Sequence, residues 1–155
     1  MTEIDFALTQ NEPTEQLELV GTVLWNKAKL VKHFSHLSLP ERNFVYIDIF
    51  ESELNNGGLF GFFFNNSGEY AHEVLTAFET VNALESVEIY DCDLRIFKDL
   101  PVPKDIFLRR LHMNTLSEPD KDKWLKLEEE FINTKEDLVE LLLCYIKQNK
   151  AFFEY

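Results

Sequence analysis

Residues 53–68, ELNNGGLFGFFFNNSG, constrain this chain more than any other stretch. Two asparagines and two glycines (Asn55, Asn56, Gly57, Gly58) break an apolar run. Four phenylalanines follow within five positions (Phe60, Phe62, Phe63, Phe64), and the run closes on Asn65, Asn66, Ser67 and Gly68. Asparagine and glycine tolerate positive φ, so Asn-Asn-Gly-Gly predicts a helix that ends and a chain that turns sharply. The aromatic run is the densest apolar stretch in the chain and predicts the core centre, a short buried helical segment over 59–64 with Phe60 and Phe63 as core residues.

The flanking sequence repeats apolar residues every three to four positions, the helical period. Thr14 can cap a helix over 15–36, and Ser38 with Pro40 opens a second that runs to Leu54. The β-branched residues of 44–50 also suit a strand, but the stripe Asn43, Tyr46, Ile47, Phe50 and Leu54 persists at helical spacing. Further helices are expected over 69–81, 84–97, 104–113 and 124–132. Thr134 is expected to cap a last helix that buries Leu138, Leu141, Leu142, Tyr145 and Ile146. Residues 1–12 read as a flexible lead-in, and the aromatic tail is expected to pack back. No strand pair, repeat or low-complexity segment interrupts this pattern. The expectation is all-α: a compact single-domain multi-helix bundle of six to eight helices over residues 1–155.

A chain of 155 residues is long enough to form a core without metal or disulfide staples. No apolar run approaches the roughly 18 residues that span a bilayer. The N-terminus has no basic region or hydrophobic signal segment, which points to a cytoplasmic protein. Cys92 and Cys144 lie far apart and are expected as reduced core thiols.

The net charge of −13 excludes direct binding to nucleic acid and to anionic lipid, and calls for a basic partner. The charge is also segregated. Between Arg42 and Arg95 there is no Lys or Arg, yet that interval holds ten carboxylates: Asp48, Glu51, Glu53, Glu69, Glu73, Glu79, Glu85, Glu88, Asp91 and Asp93. Removing those ten from the 28 acids leaves 18 against all 15 bases, close to balance. Exposed carboxylates on helices are ordinarily alternated with Lys at i+4, and here they are not. On a helix, Cβ atoms three or four residues apart lie about 5–6 Å from one another. Phosphates on one DNA strand repeat about every 3.4 Å along the axis and lie further apart through space. Rigidly mounted carboxylates at such spacing approximate a row of phosphates. The expected partner-binding residues are Asp48, Glu51, Glu69, Glu73, Glu79, Glu85, Glu88 and Asp91.

Catalytic patterns are missing: the chain has no phosphate-binding loop, dinucleotide loop, HExxH or CxxC. His33 with His36, and Glu69-His72-Glu73, have metal-ligand spacing but too few donors, and read as solvated helix faces. No catalytic residue, metal or cofactor is expected.

The run Glu53-Leu54-Asn55-Asn56-Gly57-Gly58-Leu59-Phe60, followed by Phe63, Asn65, Ser67, Gly68, Ala77 and the Asn82-Ala83 junction, resembles the bacterial DNA-mimic protein family of the DMP-nineteen type. The match is clear over 40–97. The resemblance implies an all-α acidic protein. Its best-known relative imitates DNA and blocks a helix-turn-helix transcription factor. It implies a structural role for Asn55, Asn56, Gly57, Gly58, Phe60, Phe63 and Asn65, and places any mimicry in carboxylates outside the motif.

The leading reading is thus an acidic interaction protein that sequesters a basic DNA-binding protein, as monomer or homodimer. Two rivals use the same features. One is an immunity or antitoxin protein that neutralises a nuclease toxin. The other is a small-molecule binder or enzyme with a pocket near Asn55–Gly58.

Overall fold

The computed structural model describes residues 1–29 and 34–153, and among them it contains eight α-helices and no strand. The all-α expectation is met. The chain divides into two compact units, Met1–Asp48 with Asp137–Tyr155, and Ile49–Glu136.

The first unit contains α1 (Glu3–Leu8), α2 (Pro13–Ala28), the start of α3 (Leu39–Phe64) and α8 (Leu138–Gln148). Helix α1 occupies the stretch expected to be a lead-in. Thr2 and Asp5 form a reciprocal capping box there, and Ile4 and Ala7 are buried. Pro13 opens α2 one residue ahead of the expected Thr14 cap. Residues 30–33 of the helix predicted over 15–36 lie outside the described residues. Ser38 and Glu41 cap the start of α3: Ser38 N–H donates to Glu41 Oε1 at 2.8 Å and Glu41 N–H to Ser38 Oγ at 3.3 Å. The buried Glu41 carboxylate also meets Lys27 Nζ of α2 at 3.2 Å. Asp137, rather than Thr134, caps α8, accepting from Glu140 N–H at 3.1 Å. The tail packs back as expected, with Phe153 buried and the Phe152 carbonyl bonded by Ser38 Oγ.

The second unit holds the rest of α3, a 3-10 turn over Asn66–Tyr70, α4 (Ala71–Thr80), α5 (Leu84–Leu94), α6 (Ile106–Asn114) and α7 (Glu118–Asn133). Its core is aromatic. Phe50 packs edge-on against Phe62, Phe78 and Tyr90, with ring centroids 5.1, 5.6 and 5.0 Å away. Phe63 stacks on Trp124 at 5.2 Å and meets Phe97 edge-on at 5.1 Å. The Tyr90 hydroxyl, buried between helices, donates to the Ala71 carbonyl at 2.5 Å. The Pro-containing stretch 117–122 opens α7 ahead of the helix expected from residue 124, because Ser117 and Asp120 form a second capping box and Pro119 sits in the first turn.

Three local expectations are corrected. The chain turns at Gly58 alone (φ 66°, ψ −168°), while Asn55, Asn56 and Gly57 remain helical and exposed. Phe60 is 42 % exposed, whereas Phe62 and Phe63 are fully buried. The kink at Gly58 rotates the second half of α3 so that positions 59, 62 and 63 point inward. Cys92 and Cys144 are both exposed rather than core thiols, on the outer faces of α5 and α8.

Candidate interaction surface

The central motif is a structural device. After Gly58, residues 59–64 form a short helical segment whose two ends would leave backbone groups unpaired. Glu128 of α7 answers the first end, accepting from Leu59 N–H at 2.6 Å. Arg109 of α6 answers the other. It is fully buried, and its guanidinium donates to the carbonyls of Phe63 (2.5 Å), Asn65 (2.7 Å), Lys104 (2.9 Å) and Pro103 (3.0 Å). Arg110 adds a bond to the Phe64 carbonyl at 2.9 Å and lies 4.0 Å over the Phe64 ring. An anion at the N-terminal end and cations at the C-terminal end both complement the segment's dipole. Burial pulls the Arg109 pKa below its ordinary value, yet a guanidinium stays charged. Gly68 makes room: a Cβ there would lie 2.6 Å from the Phe63 carbonyl oxygen and 2.9 Å from Arg109 Cζ. Asn65 also donates to Glu53 Oε2 at 3.2 Å, which ties the end of the motif to its start.

The expected acidic residues fall into three groups. Asp48, in the first unit, accepts from Trp25 Nε1 at 2.6 Å and serves packing. Glu51, Glu69 and Glu73 are half-buried in the second unit. The loop after α5 reaches the last two: Lys104 Nζ donates to the Glu69 carbonyl and pairs with the Glu73 carboxylate, and Val102 N–H donates to His72 Nε2 at 2.9 Å. The third group faces water. Glu79 lies on the outer side of α4, and Glu85 and Glu88 on that of α5; among the described residues no cation pairs with any of the three. Asp91 is tied to Arg95 at 2.8 Å on its own helix.

Helices α5 and α7 lie antiparallel. Thr134 Oγ1 and Lys135 N–H donate to Glu85 at 2.5 and 3.2 Å. Glu136 in turn accepts from the N–H groups of Glu85 and Ser86 at 3.0 and 3.2 Å, capping an α5 N-terminus that has no side-chain cap of its own. At the far end, Cys92 and Ile96 line a groove of about 290 Å³ with Lys123, Lys126, Leu127 and Glu130. Burial, then Asp91, Asp93 and Glu130, push the Cys92 thiol up, so it is no activated nucleophile.

Asp93 leaves the acidic row altogether. It is wholly buried and neither carboxyl oxygen has a hydrogen-bond partner. Burial, then Glu128 and Glu130, push its pKa up to about 9, so it is neutral at pH 7. The run Glu128-Glu129-Glu130 signals a second acidic element, outside the cation-free interval that drew attention to 48–93. One of these residues holds the motif and another extends the α5 face.

The family model of DMP19-like proteins matches residues 35–149. The chain belongs to the DMP19-like family. The matched region takes in the Gly58 kink, the Arg109 and Glu128 clamps and every helix from α3 to α8. Comparison with curated proteins and with solved structures gives no match. Among the described residues no helix is long and apolar enough to cross a membrane, and no group of three His, Cys, Asp or Glu side chains has a metal-binding arrangement.

Proposed function

We propose that this DMP19-like protein is an acidic interaction protein that occupies the DNA-binding surface of a basic protein, such as a helix-turn-helix transcription factor. The carrying observation is that Glu79 on α4 and Glu85 and Glu88 on α5 face outward and no cation pairs with any of them among the described residues; Glu130, exposed on α7, shares the groove at Cys92 with Lys123 and Lys126. Helices packed into an aromatic core hold these carboxylates in fixed positions, so a partner's Lys and Arg side chains, already placed for phosphates, meet preorganised charge. Family membership and a net charge of −13 support the same reading.

A pull-down from the source cell at low salt, eluted by a salt step, identifies the partner; binding should weaken steeply with ionic strength. The variant carrying Glu79→Gln, Glu88→Gln and Glu130→Gln should then lose at least about tenfold in affinity with unchanged helicity, since interfacial charge pairs carry coupling energies of that order or more. Glu85 is left intact because it anchors the 134–136 turn. Unchanged affinity in the triple variant would remove this surface from the mechanism.

A further inference from the structure

Helix α7 buries one side and carries an ordered pattern on the other. Trp124 and Phe131 pack into the aromatic core, and Glu128 reaches Leu59. On the outward side Glu118, Asp122, Leu125, Glu129 and Ile132 follow one another at intervals of four, three, four and three. That alternation is the seam spacing of paired helices, and it sets the five side chains on one face. All five are exposed, Leu125 by 59 % and Ile132 by 80 %. The charges of the seam are all negative. Glu118 pairs with Lys121 at 3.6 Å, while no cation pairs with Asp122 or Glu129 among the described residues. The other two lysines of α7 lie off the seam: Lys123 pairs with Asp120 at 3.6 Å, and Lys126 lines the groove beside Cys92. On the neighbouring helices Arg95 is tied to Asp91 and Arg110 to the Phe64 carbonyl, and Lys135 lies beyond the end of α7. Apolar residues scattered singly over a surface need no explanation, but a leucine and an isoleucine one heptad apart, alternating with acids, form a pattern.

We propose that this face of α7 docks a basic amphipathic helix of another protein, with apolar residues against Leu125 and Ile132 and Lys or Arg against Asp122 and Glu129. From Glu118 to Ile132 the seam is about 21 Å long, so it engages about four turns of such a helix. The apolar pair supplies burial, and the acids select the sign and the register of the partner. Charge also decides against other occupants. Two copies of the seam would bury acids against one another or against leucine and isoleucine, with no cation to answer them. An anionic membrane repels the same acids. The seam shares no residue with Glu79, Glu85 and Glu88, so it is a second surface, and it binds by burial as much as by charge.

The probe is a synthetic peptide of about three heptads with Leu and Lys alternating along its seam, set against a control of the same composition in scrambled order. Fluorescence anisotropy of the labelled peptides measures their binding to the full chain. The ordered peptide should bind at least about tenfold more tightly than the scrambled one, because both carry the same charge and only the first presents an apolar face. Leu125→Ser combined with Ile132→Ser should lose about tenfold or more in affinity for the ordered peptide. Circular dichroism of that variant should be unchanged, because both side chains already face water. Asp122→Asn combined with Glu129→Gln should weaken binding and flatten its salt dependence. Glu79→Gln combined with Glu88→Gln should leave the affinity within about twofold, so the two surfaces fail or stand separately. Equal affinity for the ordered and scrambled peptides, or a serine variant that binds like the wild type, overturns the proposal. So does a dimer of the chain in sedimentation that the serine variant dissociates, or binding to phosphatidylcholine vesicles that it abolishes, since the seam then serves a second copy or a lipid surface.

Discussion

The carboxylate of Glu128 occupies the space that a side chain on Gly58 would fill: a Cβ there would lie 2.9 Å from Glu128 Cδ, with Oε1 closer still. The same carboxylate receives Leu59 N–H, so the kink and its clamp are one arrangement. Gly58 combines φ 66° with ψ −168°, a region that essentially only glycine enters. Gly58→Ala should destabilise the protein by about 3 kcal/mol or more in chemical denaturation, from backbone strain plus the displaced clamp. Gly57 is the internal control. It is helical with nothing within 4 Å of its Cβ position, so Gly57→Ala should be neutral or stabilising by up to about 1 kcal/mol.

Arg109 carries the opposite end of the segment. Arg109→Met should leave four carbonyls without their donor and destabilise by on the order of 3 kcal/mol or more, with the loss seen in the denaturation midpoint. Arg109→Lys should recover little, because a single ammonium cannot reproduce a planar fork that reaches four acceptors. If Lys substitutes at no cost, the fork geometry is not what holds the segment.

Much of this fold was legible from local chemistry. The helical period of 43–54, a break within Asn55–Gly58 and the aromatic core all follow from residues within a few positions of one another. The clamps were not legible, since Glu128 and Arg109 act on a segment 69 and 46 residues away in sequence. The cation-free interval points to the helices that carry the proposed surface, but Lys104 and the burial of Asp93 depend on tertiary packing that a count of charges does not contain. The inward-facing Arg109 of α6 was not legible for the same reason: its partners are carbonyls, which have no signature in sequence.

Lys27 and Glu41 form the buried ion pair of the first unit, with side chains 9 % and 1 % exposed. Glu41 additionally accepts from Ser38 N–H, so the same carboxylate caps the start of α3. Lys27→Met should destabilise by about 3–5 kcal/mol, because it strands a buried carboxylate. Lys27→Met with Glu41→Leu should recover most of that, short of the lost Ser38 cap of about 1 kcal/mol. A double-mutant cycle measures both contributions.

Asp93 gives the stability of the protein a specific pH dependence. Its native pKa is raised to about 9, by burial first and then by Glu128 and Glu130, whereas an unfolded Asp titrates near about 3.9. Between those values the native state holds a proton that the unfolded state has released, so the contribution of Asp93 to stability falls as pH rises from about 4 to about 9 and is level beyond. Asp93→Asn keeps the shape without the titration. The two proteins should be closest in stability near pH 4, and the variant should gain on the wild type as pH rises. A one-proton difference between the folded and unfolded states is worth at most about 1.4 kcal/mol for every pH step of one, so the gap should reach several kcal/mol by pH 9. Trp124 reports the transition, because its Nε1 donates to the Asp93 carbonyl at 3.2 Å and its ring stacks on Phe63. Denaturation curves followed by tryptophan fluorescence across that range should diverge in this direction. Parallel curves would mean that Asp93 ionises in the folded protein near its ordinary pKa, and that the α5–α7 packing holds a charge there after all.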